Sequence, residues 1–222
     1  MQLNFGFLPH HDEVVPEDAV DTISMKRLAA EQGNADAQYS LGTLYYYGEG
    51  VPNDAVEAAR WFRMAAEQGN NYGQYGLGTM YYNGEGVPND AVEAVRWFRM
   101  AAEQGNADAQ YSLGTMYAYG KGVPEDAAEG LSWYRMAAEQ GNAFGQYGLG
   151  TMYAYGKGVP EDAAEAERWY RMAAEQGNAE AQYMLGTIYA YGKGDPEDAA
   201  EALRWYRMAA EQGNAFGQYG LG

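Results

Sequence analysis

Apolar residues recur along the chain at helical spacing, in short runs interrupted by glycine and proline. In the first complete run they are spaced by four, three and one residues: Ala37, Leu41, Leu44 and Tyr45. This spacing places all of them on one face of an α-helix. Asn34 precedes the run and can cap the helix through its side-chain oxygen. The pattern predicts a short amphipathic helix that begins after Asn34.

A second amphipathic helix is predicted beyond a glycine–proline turn. Gly48 and Gly50 end the first helix and form the turn. Asp54 and Glu57 resemble a capping box at the start of the second helix, with aspartate in place of serine or threonine. Gly69 ends that helix. Its apolar face carries Ala58, Trp61, Phe62 and Ala65.

This two-helix unit repeats with a fixed period. The pentapeptide Ala-Glu-Gln-Gly-Asn occurs six times at a spacing of 36 residues, beginning at Ala30, Ala66, Ala102, Ala138, Ala174 and Ala210. A fixed period in this range indicates one structural unit stacked on copies of itself. Neither helix is long enough to be stable alone in water, so stacked neighbours must bury the apolar faces. The chain is therefore predicted to be an all-α repeat array.

The repeat unit resembles a known family. Two motifs are similar to the tetratricopeptide pattern: Leu41-Gly42-x-x-Tyr45 and Ala58-x-x-Trp61-Phe62-x-x-Ala65-Ala66. The period of 36, the turn Gly-x-Gly-Val-Pro-x-Asp and the ending Ala-Ala-Glu-Gln-Gly resemble the Sel1-like repeat, over about residues 15–222. The resemblance implies a right-handed α/α superhelical solenoid that serves as an adaptor in protein complexes. It also implies that the first helix of each pair lines the concave side.

The two ends of the array are predicted to differ from the repeats between them. Met25 and Lys26 replace the aromatic pair of the other second helices, which suits a capping helix with less aromatic surface. The last segment stops in mid-helix, so we expect a truncated fragment or an end covered by a partner or by another copy. The predicted organisation is an irregular leader (1–14), an N-terminal capping half-repeat with a single helix (15–33), five repeats (34–213) and the truncated first helix of a sixth repeat (214–222).

One position of the first helix alternates between acidic and aromatic residues: Asp36, Tyr72, Asp108, Phe144, Glu180 and Phe216. A glycine follows each aromatic residue four positions later, as in Tyr72 and Gly76, and residues four apart are neighbours on a helix. One interpretation is volume compensation, with the ring of Tyr72 over the bare backbone of Gly76. The other is an alternating acidic and aromatic lining that contacts a partner.

One second helix departs from its sister copies. Gly130 replaces a core alanine, and Ser132 replaces an arginine. Glycine inside a helix costs about 1 kcal/mol relative to alanine. We expect this helix to be the least stable of the second helices, and the array to flex there.

The candidate partner-binding residues are the equivalent positions of the aligned repeats that the resemblance places on the concave side, in the first helices. Tyrosine dominates them, and tyrosine offers a large contact area at a low entropic cost while keeping a hydroxyl for hydrogen bonding. The alternative is that half of these tyrosines pack between helices. The predicted surface consists of Asp36, Tyr39, Tyr46, Tyr47, Tyr72, Tyr75, Tyr82, Asp108, Tyr111, Tyr119, Phe144, Tyr147, Tyr155, Glu180, Tyr183 and Tyr191.

Charge and composition narrow the class of partner. The formal net charge is −17, so the chain lacks the basic footprint that a nucleic-acid binder needs, and an anionic membrane surface is disfavoured. A basic or neutral protein partner is favoured, although an acidic surface also serves solubility alone. The chain has no cysteine, and its two histidines lie in the leader, so no catalytic, metal or cofactor site is predicted. With no signal peptide or membrane-spanning run, the chain as given is expected to be cytoplasmic, or periplasmic or secreted if a signal was trimmed.

The sequence therefore favours a non-enzymatic scaffold that binds a peptide or protein surface in a tyrosine-rich acidic groove. Two alternatives stay open. One is an inhibitor or immunity-type protein that caps a partner enzyme, and the other is a module that binds cell-wall carbohydrate through its tyrosine faces. Self-association through the uncapped C-terminal end is a further expectation.

Overall fold

The computed structural model describes residues 17–191 and 196–221, without the side chains of residues 17–21, 196 and 197. All regular elements in this part of the chain are α-helices. They are α1 (Glu17–Glu31), α2 (Ala35–Tyr47), α3 (Ala55–Glu67), α4 (Asn71–Asn83), α5 (Ala91–Glu103), α6 (Ala107–Tyr119), α7 (Ala127–Glu139), α8 (Ala143–Tyr155), α9 (Ala163–Glu175), α10 (Ala179–Ala190), α11 (Pro196–Glu211) and α12 (Ala215–Gly220). The predicted leader, residues 1–14, lies outside the described residues, as do residues 15, 16 and 222.

The helices form an α/α solenoid in which each packs on its neighbours in the chain. The even-numbered helices α2 to α12 are the first helices of the repeats, and the odd-numbered helices α3 to α11 are the second helices. Helix α1 packs against α2 as a second helix from a preceding repeat would. The predicted all-α repeat fold is confirmed.

The helix ends follow the local chemistry of the sequence, with one correction. Asn34 caps α2, since its Oδ1 accepts a hydrogen bond from the Ala37 amide at 2.8 Å. Asp54 caps α3 by accepting from the amides of Val56 and Glu57 at 3.0 and 3.1 Å. The predicted capping box is wrong in its second half: the Asp54 amide donates to the Tyr45 carbonyl, and Glu57 pairs with Arg60 instead.

Buried glutamines connect each helix pair to the pair before it. In α2, the Gln38 side chain donates to the Ala30 carbonyl of α1 at 3.0 Å and accepts from Gln68, just beyond α3, at 2.6 Å. Gln38 is almost completely buried, and unpaired amide groups at such a site would be costly. The same side-chain pairing recurs between Gln104 and Gln74, Gln140 and Gln110, Gln176 and Gln146, and Gln212 and Gln182. The repeated pentapeptide therefore supplies one partner of a hydrogen-bond ladder as well as a helix end.

Aromatic rings of the second helices lie against glycines of the first helices. A Cβ placed on Gly42 of α2 would lie 2.7 Å from the Phe62 ring, and one on Gly76 of α4 would lie 3.1 Å from the same ring. The Phe62 ring of α3 thus fits between the backbones of α2 and α4 at these two glycines. This corrects the volume-compensation interpretation, because the ring beside Gly76 is Phe62 of the preceding repeat and not Tyr72.

Candidate protein-interaction surface

The sequence-predicted surface residues all belong to the first helices or their ends. Exposed among them are the three acidic residues and six rings, whose exposed fractions range from 46% for Phe144 to 85% for Tyr191. The other exposed rings are Tyr47, Tyr72, Tyr119 and Tyr155. Partly buried against neighbouring helices are Tyr39, Tyr46, Tyr75, Tyr82, Tyr111, Tyr147 and Tyr183. The partly buried tyrosines therefore pack between helices, and the exposed rings stay candidates for contact with a partner.

The aromatic residue of every second repeat stacks on a tyrosine of the repeat before it. The rings of Tyr39 and Tyr72 are 5.5 Å apart with an interplanar angle of 33°. The same tilted arrangement joins Tyr111 to Phe144 at 5.6 Å and Tyr183 to Phe216 at 5.5 Å. These contacts connect α2 to α4, α6 to α8 and α10 to α12.

The acidic residues stabilise the same junctions. The Asp36 carboxylate accepts a hydrogen bond at 2.7 Å from the side-chain nitrogen of Asn70, the residue that caps α4. Asp108 and Asn142 are joined in the same way at 2.7 Å, and Glu180 and Asn214 at 2.8 Å. Acidic and aromatic positions thus act together within one pair of repeats, and their exposure leaves the predicted lining a hypothesis.

Glycine allows the two repeats of such a pair to approach closely. A Cβ on Gly73 of α4 would lie only 2.7 Å from the Ala65 Cβ of α3. The corresponding residue of α6 is Ala109, which has that Cβ. The packing unit is therefore a double repeat of 72 residues, and we number the double repeats as first (34–105), second (106–177) and third (178–221).

A small open pocket lies in the first double repeat. Its volume is about 80 Å³, and six aromatic residues line it: Tyr39, Tyr46, Tyr47, Phe62, Tyr72 and Tyr75. The rings of Tyr46 and Tyr47 meet edge to face at 5.0 Å. Gly76 and Met80 add apolar surface, and Thr43 and Thr79 add hydroxyl groups. The pocket is thus an aromatic recess that opens on the first-helix side.

The turns between helices carry opposite charges in the two halves of the array. In the first double repeat, the Tyr46 hydroxyl donates to the Glu85 carboxylate at 2.8 Å. Further along, the Lys121 ammonium donates to the Tyr82 hydroxyl at 2.8 Å, and the Lys157 ammonium lies 5.4 Å from the centre of the Tyr119 ring. The candidate residues chosen from the sequence omitted these three charged residues. The sequence did contain a feature that points to them, namely the change from Glu85 to Lys121 at equivalent positions of successive repeats.

Burial and neighbouring carboxylates alter the acidity of the tyrosines. Burial raises the pKa of Tyr46, and the hydrogen bond to Glu85 raises it further. Burial also raises the pKa of Tyr75, with the nearby Asp108 carboxylate acting in the same direction. Burial followed by the charge of Glu180 raises the pKa of Tyr147 to about 12. These hydroxyls therefore stay protonated at neutral pH and can donate hydrogen bonds.

Threonines on the first helices serve as hydrogen-bond partners inside the array. The Thr115 hydroxyl donates to the Tyr111 carbonyl at 3.1 Å and accepts from the Tyr134 hydroxyl of α7 at 3.0 Å. Tyr170 and Tyr206 reach threonines in the same way. The second helices of the first double repeat carry Phe62 and Phe98 instead, which lack that hydroxyl.

Two classes of site receive no support from the described residues. Among residues 17–191 and 196–221, no cluster of three or more histidine, cysteine, aspartate or glutamate side chains is suited to hold a metal ion. Within the same ranges, no helix combines the length and apolar character needed to cross a membrane.

Solved structures share this architecture. The chain is 42% identical to a protective antigen present in uropathogenic Escherichia coli strains that displays an SLR fold, with a TM-score of 0.78 over 93% of this chain and 44% of the antigen. It thus spans less than half of that protein. A Sel1 repeat protein from Oxalobacter formigenes is 37% identical, with a TM-score of 0.81 over 92% of this chain and 84% of that one.

An immunity protein from Pseudomonas aeruginosa shares the fold at 22% identity, with a TM-score of 0.60 over 92% of this chain and 77% of that one. No protein with a curated functional description matches the chain. The family model described as Sel1 repeat matches five consecutive segments: 35–70, 71–106, 107–142, 143–178 and 179–214. This chain of stacked helix pairs belongs to the Sel1 repeat family.

Proposed function

We propose that the protein is a non-enzymatic scaffold that binds a peptide or protein surface along its first helices. Sel1 repeat proteins typically mediate protein–protein interaction. The observation that carries the proposal is the row of exposed rings at equivalent positions, Tyr47, Tyr119, Tyr155 and Tyr191. Aromatic side chains are enriched among the residues that dominate binding energy at protein interfaces.

Contacts between the first helices of adjacent repeats support a groove on this side. First helices of adjacent repeats contact each other directly, as in α2 with α4 and α6 with α8. A stack whose first helices converge bends toward them, and such a bend would place the exposed tyrosines on its inside. A concave surface of this kind suits an extended peptide or a protruding loop.

The charge of the chain favours a basic partner. The formal net charge is −17, and the groove side carries Asp36, Asp108 and Glu180. Electrostatic attraction between exposed groups is screened by salt, so binding to a basic partner is expected to weaken as ionic strength rises. Polysaccharide binding through tyrosine faces would survive high salt, which separates that alternative from a basic protein.

An immunity-type role, in which the array caps a partner enzyme, is a narrower form of the same proposal. Its support is the fold that the chain shares with the Pseudomonas aeruginosa immunity protein. It predicts a tight one-to-one complex in which the partner's activity is lost.

The test is a pull-down followed by affinity measurement on a triple variant with Tyr47, Tyr119 and Tyr155 each changed to Ala. Because truncating an interface aromatic typically costs about 1–4 kcal/mol, we expect the variant to bind its partner at least ~10-fold more weakly. The matched control changes Met100, Met136 and Met172 to Ala, since these are exposed apolar side chains on the second helices. Equal binding by the tyrosine variant and the native chain would contradict the proposal.

A further inference from the structure

We propose that the aromatic pocket of the first double repeat binds the side chain of an arginine from the partner. This inference rests on the proposed function and names the chemistry of one contact within it. It follows from a comparison between equivalent positions of the first and second double repeats.

In the second double repeat, a cation of the chain itself lies over the equivalent tyrosine. Tyr119 is the counterpart of Tyr47, and the Lys157 ammonium lies 5.4 Å from the centre of its ring. Attraction between a cation and the face of an aromatic ring is favourable at such distances. The second double repeat therefore shows which type of group this position accepts.

In the first double repeat, a carboxylate replaces that cation. The counterpart of Lys157 is Glu85, and its carboxylate accepts a hydrogen bond from Tyr46, which lines the pocket. Among the residues that the structure describes, no arginine or lysine lies over the Tyr47 ring. The ring is half exposed, so a partner can reach it.

The pocket fits both parts of an arginine side chain. Its apolar walls, which include Phe62 and Met80, match the methylene stem. The tyrosine rings offer faces on which a planar guanidinium stacks, and a guanidinium is less strongly hydrated than an ammonium. Glu85 at the edge offers a carboxylate to the guanidinium nitrogens, which pair well with carboxylates.

The charged groups around the pocket reinforce this preference. Glu85 and Asp108 each contribute to the raised pKa of a lining tyrosine, Tyr46 and Tyr75 respectively, and Glu49 does the same for Tyr47. Lys121, in the following turn, is bound to the Tyr82 hydroxyl. The negative charge that these carboxylates exert on the lining tyrosines thus favours a positive group in the pocket.

The second double repeat differs from the first at this position in two ways. Ala118 stands where the first double repeat has Tyr46, which removes one wall. Lys157 supplies the cation from within the chain. Arginine binding is therefore assigned to the first double repeat alone.

The test uses N-acetyl-arginine amide as the ligand and N-acetyl-citrulline amide as its neutral isostere. Binding is followed by NMR of the tyrosine rings in the whole chain. We expect saturable chemical-shift changes at Tyr39, Tyr47 and Tyr72 with the arginine compound. The citrulline compound should bind at least roughly 10-fold more weakly than the arginine compound, because the cation supplies most of the attraction. Equal binding of the two compounds, or tighter binding of N-acetyl-lysine amide, would overturn the proposal.

A charge swap supplies the decisive variant. Glu85→Lys gives the first double repeat the residue that its sister repeats carry at positions 121 and 157, so the fold tolerates it. We expect this variant to keep the native circular dichroism spectrum and to lose arginine binding. Lys157→Gln is the matched control and should bind as the native chain does. Retention of arginine binding by Glu85→Lys would refute the assignment.

The two proposals fail separately. If arginine amide does not bind while the triple tyrosine variant still loses its protein partner, the arginine pocket is wrong and the scaffold function stands. If arginine amide binds while that variant keeps its partner, the scaffold surface is wrong, and the pocket binds arginine without serving that partner.

Discussion

At several positions of the first helices only glycine fits, because an aromatic ring of another helix lies against the backbone there. A Cβ on Gly78 would lie 2.7 Å from the Phe98 ring, and one on Gly114 would lie 2.7 Å from the Tyr134 ring. Protein interiors do not tolerate such contacts without displacement of one group. These glycines therefore lower the helix propensity of the first helices in exchange for close packing.

Gly78→Ala is expected to destabilise the array, although alanine is the better helix former. The added methyl group overlaps Phe98, and overpacking costs about 1–3 kcal/mol, which outweighs the ~1 kcal/mol gained in helix propensity. The midpoint of urea unfolding measures the effect. In a Phe98→Leu background the overlap is relieved, and the same substitution should become neutral or stabilising. A stabilising effect in the native background would show that the ring is free to move.

Sequence patterns located these glycines but assigned one of them to the wrong ring. The pairing of Tyr72 with Gly76 came from a spacing of four residues within a single helix. In the structure, Gly76 faces Phe62, and Tyr72 stacks on Tyr39. Periodicity along one helix carries no information about which side chain arrives from a neighbouring helix, so this contact was beyond the sequence.

At the scale of the element, the second helices share one stabilising arrangement that α7 lacks. An arginine lies over the adjacent tryptophan in four of them, as Arg96 lies 4.9 Å from the centre of the Trp97 ring. In α7, Ser132 stands at the position of that arginine. The indole N–H of Trp133 instead donates a hydrogen bond to the Glu129 carboxylate at 2.9 Å. Gly130 also leaves this helix without a methyl group at a buried position. The low stability expected of α7 thus has a local structural cause and stays a prediction.

Ser132→Arg is expected to stabilise α7. The new guanidinium would stack on Trp133 and pair with Glu129, as Arg96 does with Trp97 and Glu93, for a gain of about 0.5–1 kcal/mol. Amide hydrogen exchange, measured helix by helix, should show slower exchange in α7 and little change in α3. If native α7 already exchanges as slowly as α3, α5 and α9, the predicted weak point does not exist.

At the scale of the whole molecule, the structural period is twice the sequence period. Ring stacking, the acidic residue and the capping asparagine join repeats in pairs, as in Tyr39 with Tyr72 and Asp36 with Asn70. The charge at the turns also changes between the first and second double repeats, from Glu85 to Lys157. The first-helix side therefore presents different charges in the first and second double repeats.

The array is expected to lose stability in alkaline solution. Several partly or largely buried tyrosines have a pKa above the ordinary value of about 10 that they regain on unfolding, Tyr147 at about 12. A raised folded pKa contributes stability that is fully present below pH ~10 and is lost as the pH rises through the folded values. Thermal unfolding between pH 8 and pH 12, with tyrosine ionisation followed by ultraviolet absorbance, should show a falling midpoint above pH ~10. A constant midpoint across that range would contradict the raised pKa values.

The sequence by itself determined the fold, the helix caps and the register of the repeats. The helix caps depend on local chemistry that is visible in a single copy, such as Asn34 and Asp54 at helix starts. The fold and the register depend on the period of 36 residues, which is visible when the copies are compared. Only the tertiary structure decided that Gly76 faces Phe62, that Asp36 holds the cap of the next repeat, and that Glu85 accepts a hydrogen bond from Tyr46, which lines an aromatic pocket. The physical reason is that these contacts join residues in different helices, and their partners are chosen by packing distances that spacing along one helix does not encode.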